Sequence, residues 1–427
     1  MSQTIAPPPP FERPATGALR RGPVDRSWRG HVILVIAELV VSAGLIVLAA
    51  TSDLSTVGRL AAVLLAVLFT VTLATLVTRE SDVSRGSAAL VGGIVGVTFG
   101  GGIGPVWLVT SGLSVVALLS LAALAAGLLL LASGAWLLIR ATPGWWRLAA
   151  IPVAFLILQF VLLPLAGAAY GTHPPRTPLS ATRPAGARGV SFGTPDGVTL
   201  EAWYTPSRNG AVIILLPGSG GDKGSTVAHA AVLVEHGYGV LALDSRGTGE
   251  SGGSGNAWGW HGTSDVAGAM AWLREQPEVD HGRIGALGLS MGGEVAVTAA
   301  ASEAGLAAVV AEGISARVPA DLAYLPDDVS GVIQRLDGEI MWAVADLMTD
   351  AVMPMPLPEA VTAVGVPTLI IVGASADERA AAPILTAAAP ALQVWDLPET
   401  PHILSLERHP DEWKTRVSGF LDESLAP

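Results

Sequence analysis

Residues 283–298 read Arg283-Ile-Gly-Ala-Leu-Gly-Leu-Ser290-Met-Gly-Gly-Glu-Val-Ala-Val-Thr298. An apolar run of strand length, Arg283 to Leu289, passes without a linker into the helical segment Met291-Gly-Gly-Glu-Val-Ala-Val. A chain that changes from strand to helix at one residue must turn tightly, and Gly288 and Gly292 leave its flanks free of side chains. Ser290 at the apex then has its hydroxyl exposed. Because an alkoxide is not available near neutral pH, a serine nucleophile needs a base within hydrogen-bond reach.

The same Gly-x-Ser-x-Gly pattern occurs at Gly249-Glu-Ser251-Gly-Gly253, but there it follows one glycine-rich loop and precedes another. No helix opens at Ser251, so it is expected to be a loop residue. For the base, only His402 and His409 follow Ser290 in the chain. His402 lies in the Pro398–His402 loop just past the last apolar run, whereas His409 begins the terminal helix beside Pro410, so His402 is the expected base. The orienting acid should leave the end of a strand between the two. Asp377, four residues past Gly373, is the first choice, with Glu378 and Glu312 as rivals. The run Ala211–Leu216 enters Pro217-Gly-Ser-Gly-Gly221, a loop with little side-chain bulk, where the backbone N–H of Ser219 could join that of Met291 in holding an oxyanion.

Around these loops, apolar strands near 198–204, 211–216, 239–243, 283–289, 307–312, 367–373 and 391–396 alternate with helices near 225–237, 262–276, 291–304, 379–389 and 410–423. Runs such as Val212-Ile-Ile-Leu-Leu216 are apolar throughout, as strands covered on both faces are. The alternation predicts a mostly parallel sheet with helices on both faces, and such sheets place their reactive residues on loops at the C-terminal strand ends.

Taken in order, Leu-Pro217-Gly-Ser-Gly-Gly, Asp244-Ser-Arg-Gly-Thr-Gly-Glu-Ser251, Gly-Leu-Ser290-Met-Gly-Gly, Val-Gly373-Ala-Ser-Ala-Asp377 and Pro-His402 make residues 189–427 resemble the α/β-hydrolases, in the branch that includes serine aminopeptidase-like and dienelactone hydrolase-like enzymes. The resemblance implies the α/β hydrolase fold and a structural role for the Asp244–Ser251 segment. Two departures stand out: Pro217 replaces the histidine often found before the oxyanion glycine, and the acid lies one position later than the common Gly-x-x-Asp spacing. Between Glu312 and Pro367 lies an insertion, about 313–366, with an amphipathic helix Val329 to Met348 and a Met/Pro-rich tail. In this fold such an insert is usually a cap. A methionine-lined cap, with Trp258 and Trp260 near the same mouth, suggests an apolar acyl or aromatic ester as substrate.

The resemblance stops at residue 188. Residues 1–30 are rich in proline and arginine and are expected to be a disordered tail. From residue 31 to residue 172 follow runs at 32–50, 60–78, 87–109, 113–139 and 148–170, each long enough to cross a hydrocarbon core. These predict an all-α transmembrane bundle of about five helices ahead of the hydrolase domain, joined to it by the Pro-rich linker 173–188. Arg20, Arg21, Arg26, Arg29, Arg79, Arg85, Arg140 and Arg147 fall on one side, which predicts a cytoplasmic N-terminus and, after an odd number of crossings, an extracytoplasmic hydrolase domain in the cell membrane. Gly92, Gly96, Gly100 and Gly104 recur every four residues, a stripe that suits close packing within the bundle or a homodimer seam. Glu38 sits inside the first run.

Half of the 427 residues are hydrophobic (51%) and only 14% charged, which excludes a disordered chain. Up to Thr172 there are 10 basic against 6 acidic side chains, and beyond it 14 against 30. So acidic a C-terminal part would repel phosphates, and nucleic acid is not an expected partner. No cysteine is present, which removes thiolate nucleophiles, thiolate metal sites and disulfides. No metal or organic cofactor is implied. The expectation is a membrane-anchored serine hydrolase; the alternatives are an acyltransferase with the same triad, or a non-catalytic membrane sensor or transport protein that keeps a hydrolase-like domain for binding.

Overall fold

The computed structural model describes residues 27–51, 56–79, 81–111, 115–141, 144, 152, 156–174, 179–253, 255–302 and 305–427. The expected tail falls outside these up to residue 26. Four long helices come first: α1 (Ser27–Thr51), α2 (Thr56–Val77), α3 (Asp82–Ser111) and α4 (Val115–Ala141). They coincide with the first four predicted runs. The fifth run, 148–170, is described mainly from residue 156, as a π-helical turn Leu158–Leu162 leading into α5 (Leu163–Thr172). Among the described residues one helix, Leu118–Ala141, is long and apolar enough to cross a membrane by length and composition, with shorter apolar helices at Val32–Gly44, Ala66–Val77 and Leu158–Thr172.

The glycine stripe faces the chain's own helices. A Cβ on Gly92 would overlap the Glu38 carboxylate, one on Gly96 would lie 2.7 Å from Val41 Cγ2, and one on Gly100 would collide with the backbone of Leu124. The face that the homodimer expectation assigned to a second copy is thus filled, at these three positions, from α1 and α4. The side-chain surroundings of Gly104 are not described.

Beyond the linker, eight strands form one sheet in the order β1-β2-β4-β3-β5-β6-β7-β8. They are β1 (Arg188–Gly193), β2 (Thr199–Thr205), β3 (Val212–Leu216), β4 (Gly239–Leu243), β5 (Ile284–Leu289), β6 (Ala308–Glu312), β7 (Thr368–Val372) and β8 (Gln393–Asp396). β1 and β2 pair antiparallel, as do β2 and β4, and all other neighbours run parallel. Every residue of β3, β4, β5, β6 and β7 is buried, as the unbroken apolar runs require. β1 was not foreseen. Its Arg-Gly-Val-Ser-Phe-Gly sequence is largely exposed at the sheet edge, so no apolar run marks it.

Helices α6 (Val227–His236), α7 (Gly262–Arg274), α8 (Met291–Ala301), α9 (Val329–Met348), α10 (Leu357–Ala363), α11 (Ala376–Ala388), α12 (Ser405–Arg408) and α13 (Pro410–Ser424) surround the sheet. One face packs Val212, Ile214 and Leu216 against α7, α8, α10 and α11; the other packs Ile213 and Leu215 against Leu233 of α6 and Trp413, Val417 and Leu421 of α13. This is the α/β hydrolase architecture, with α9 and α10 in the insertion. The predicted linker is not wholly free: Ser180 donates its N–H and its hydroxyl to the two Asp222 carboxylate oxygens, both at 2.8 Å.

Candidate active site

Ser290 has φ +52°, ψ −123°, left-handed backbone that a non-glycine residue rarely adopts. The neighbours explain why the turn is that tight. A Cβ on Gly288 would collide with the Gly292 carbonyl, and one on Gly292 with the Leu216 carbonyl at the end of β3. The Ser290 N–H donates to the Glu312 carbonyl at 2.7 Å, tying the elbow to the end of β6. The hydroxyl caps nothing in α8 and makes no hydrogen bond among the described residues.

His402 follows β8 on a loop where Ile403 also has positive φ (+53°). Backbone strain of this kind persists only where surrounding structure enforces it, and here it occurs at both the serine and the histidine loop. His402 Nδ1 lies 2.5 Å from Glu378 Oε1, and the other Glu378 oxygen accepts the Gly373 N–H at 2.6 Å. The hydrogen bond to Glu378 raises the imidazole pKa above its ordinary value, against the opposing effect of partial burial. His402 and Ser290 share neighbours. A Cβ on Gly313, next to Glu312, would be 2.9 Å from His402 Cε1; one on Gly218 would be 3.4 Å from Ser290 Cβ and 3.9 Å from Ile403 Cδ1. The imidazole makes no hydrogen bond to the serine hydroxyl here; in ligand-free sites such contacts are often long and tighten with substrate.

The acid is therefore a correction. Asp377 is exposed, and the buried carboxylate on the imidazole belongs to Glu378. The reason is the helix start. α11 begins at Ala376, three residues earlier than the sequence pattern suggested, so Asp377 and Glu378 stand in its first turn about 100° apart. Packing of Ala381 and Leu385 into the core turns Glu378 inward and Asp377 to solvent. Ser375, a residue type favoured at helix starts, was the signal available. Glu312, the other rival, accepts the Ser405 N–H at 2.9 Å instead.

The amides of Ser219 and Met291 have no hydrogen-bond acceptor among the described residues, which leaves both free for a developing oxyanion. His409 bonds Thr400 Oγ1 through Nε2 at 2.8 Å, as a structural histidine. Ser251 is fully buried, accepting the Glu201 N–H and donating to the Asp244 carbonyl. Asp244 in turn pairs with buried Lys223 and accepts the Glu250 N–H, so this segment braces the loop after β4.

The two tryptophans separate. Trp260 is buried with Leu322, Leu325 and Trp342, and its Nε1–H donates to the Arg317 carbonyl, so it packs the cap onto the domain and is corrected from a substrate contact to a packing residue. Trp258 is half-buried and meets Tyr170 of α5 with ring centroids 6.1 Å apart and the planes tilted by 51°; the sequence did not single out Tyr170. Tyr170 Oη also touches Gly220 in the Pro217–Gly221 loop.

Residues 193–384 match the family model of X-Pro dipeptidyl-peptidase (S15 family). An uncharacterised protein of Mycobacterium tuberculosis is 36% identical over 121 residues, 28% of this chain and 42% of that protein. A polyketide transferase of a Penicillium species is 34% identical over 126 residues, 29% of this chain and 43% of the relative. The chain thus spans about two fifths of the length of these relatives. Among solved structures, an esterase of Pyrococcus furiosus superposes with TM-score 0.49 at 22% identity, covering 60% of this chain and 98% of the other.

Proposed function

We propose that this chain is a membrane-anchored serine hydrolase that cleaves an ester, thioester or amide through an acyl-enzyme. The observation that carries the proposal is the buried Glu378 carboxylate on His402, next to a serine held in strained backbone with its hydroxyl unengaged. Ser290 Oγ attacks the carbonyl carbon while His402 Nε2 takes its proton. The Ser219 and Met291 N–H groups hold the oxyanion. His402 then returns the proton to the leaving group, and water repeats the cycle to release the acid. Glu378 fixes the tautomer with Nδ1 protonated and stabilises the imidazolium. The family match over residues 193–384 supports a hydrolase.

Anchoring is supported by the helices α1–α4, which turn large apolar side chains such as Ile36, Leu64, Leu68 and Val71 outward. The proposed arrangement has five crossings, a cytoplasmic N-terminus and the hydrolase domain outside the cytoplasm. Reporter fusions at the C-terminus test it: activity of a reporter that works only in the cytoplasm overturns the odd crossing count.

Fluorophosphonate labelling of the full-length protein in membranes tests the chemistry. Wild type and Ser251→Ala are expected to label and Ser290→Ala not to; labelling of Ser290→Ala overturns the assignment. A second reading, acyl transfer, is favoured by the likeness to a polyketide transferase. The same acyl-enzyme would pass to an alcohol or amine, and product partition in the presence of added alcohol distinguishes the two.

A further inference from the structure

The turn that carries Ser219 has little of its own to hold it. The Gly221 N–H donates to the Gly218 carbonyl at 3.0 Å, which closes a β-turn with Ser219 and Gly220 at its centre. Gly220 has φ +70°, as the second central residue of a type II turn does. Both central residues are exposed, and of the five residues from Pro217 to Gly221 the three glycines have no side chain to pack. Yet a donor serves an oxyanion only if its direction is fixed before the reaction begins. A group from outside the turn has to fix it.

Tyr170, near the end of α5, is placed to do so. A Cβ built on Gly220 would overlap Tyr170 Oη and lie 3.6 Å from its Cζ, and no other described group comes within 4 Å of that position. On that side the turn is covered by this phenol alone. The ring is backed in turn by Trp258, at 6.1 Å between centroids. Trp258 is itself tied to α5: its N–H donates to the Gly171 carbonyl at 3.3 Å, and a Cβ on Gly171 would overlap its indole. Ala257 and Trp258 both have positive φ (47° and 56°), strained backbone that the surrounding contacts must enforce. Gly259, next in the chain, packs on the elbow, where a Cβ would lie 3.0 Å from Met291 Cγ. The end of α5 therefore braces the segment beside Met291, and Tyr170 stands between that segment and the Ser219 turn.

We propose that Tyr170 is a positioning residue for the oxyanion hole: its phenol, backed by Trp258, presses on Gly220 and keeps the Ser219 N–H aimed at the substrate's carbonyl oxygen. The residue acts through the turn and touches no reacting atom. It lies outside residues 193–384, so a side chain from the N-terminal helices completes a site that the matched region does not complete alone. The inference rests on the serine hydrolase reading. Its consequence is specific, because loosening a donor that binds the charged oxygen weakens transition-state binding and leaves ground-state binding alone.

Wild type, Tyr170→Ala and Tyr170→Phe would be compared as full-length protein in membranes. With an activated ester, Tyr170→Ala is expected to lower kcat about tenfold or more, a part of the 10²–10³ that removal of an oxyanion donor costs. KM should stay within about twofold. Tyr170→Phe, which keeps the ring between Gly220 and Trp258, is expected to recover most of the loss. The deciding measurement is inhibition by two matched ketones: a trifluoromethyl ketone, to which Ser290 adds to leave an oxyanion, and the methyl ketone, which binds without addition. In Tyr170→Ala the preference for the trifluoromethyl ketone should fall by the same factor as kcat. A preference that stays at the wild-type value overturns the proposal, because lost packing or a lost substrate contact weakens both ketones alike. Should Tyr170→Ala fail to fold, Gly220→Ala carries the test. Its Cβ would overlap Tyr170 Oη, so adding Tyr170→Phe, which removes that oxygen, should raise the rate of Gly220→Ala by about threefold or more; no gain overturns the proposal. A wild type that fluorophosphonate does not label refutes the hydrolase reading and this inference with it, whereas a labelled wild type with an unmoved ketone preference in Tyr170→Ala refutes the inference alone.

Discussion

Two segments of this chain carry the same five-residue pattern and use it in opposite ways. At Gly288–Gly292 the glycines allow backbones to touch: the elbow presses on the end of β3, the serine is forced to φ +52°, and its hydroxyl is left without a partner. At Gly249–Gly253 the glycines themselves take positive φ, +51° and +84°, and the serine relaxes into a buried site where its hydroxyl both donates and accepts. The difference teaches that a hydroxyl left unengaged comes from strand-to-helix geometry and not from the string. A hydroxyl that completes two backbone hydrogen bonds in a buried site contributes stability, and its proton is already committed to a carbonyl.

The comparison breaks most readily at Ser290. Ser290→Ala is expected to lower turnover on an activated ester by on the order of 10⁶-fold, with thermal unfolding unchanged; residual turnover above a hundredth of wild type would mean that another nucleophile carries the reaction. The acid separates next. Glu378→Gln is expected to cost about 10³–10⁴-fold in turnover by favouring the wrong tautomer, whereas Asp377→Asn, altering an exposed side chain, should leave the rate within about twofold. Equal losses in the two variants would count against the corrected assignment. Ser251→Ala sharpens the comparison from the other side: it should keep fluorophosphonate labelling while losing about 1–3 kcal/mol of stability, because the buried Glu201 N–H and Asp244 carbonyl lose a partner. Chemical denaturation measures the loss directly.

The smallest effect is on pH. His402 must be neutral to accept the serine proton, and its hydrogen bond to Glu378 holds the folded-state pKa above the ordinary value. Activity should therefore rise with pH through a midpoint higher than that of an unperturbed histidine. The stability given by the imidazolium–carboxylate pair has the opposite dependence: it is fully present below the unfolded pKa and is lost as pH rises through the folded one. In Glu378→Gln the acid limb of kcat/KM should move to lower pH, since burial is left to oppose the charge. A limb that stays in place would show that another group sets it.

Much of the fold was legible because its signals are local. Apolar runs marked seven of the eight strands, five of which are buried at every residue, and the 3.6-residue pattern of Val329–Met348 gave α9 its exact bounds. β1 escaped because an edge strand with one well-buried side chain, Phe192, writes no run. Trp258 and Trp260, near neighbours in sequence, looked alike as mouth residues, yet only the first meets α5 while the second is sealed beneath the cap.

The sequence by itself determined that a serine would stand at a strand-to-helix elbow and that a mostly parallel sheet would carry it; both follow from which residues adjoin in the chain and from the room that glycine leaves. Only the tertiary structure decided which of two adjacent carboxylates meets the imidazole, which helices the Gly92–Gly100 stripe faces, and that α5 closes on the loops at Gly220 and Trp258. Those outcomes depend on how one element is rotated against another. The packing of whole faces sets that rotation, and a step of one residue around a helix, about 100°, is enough to exchange inside for outside.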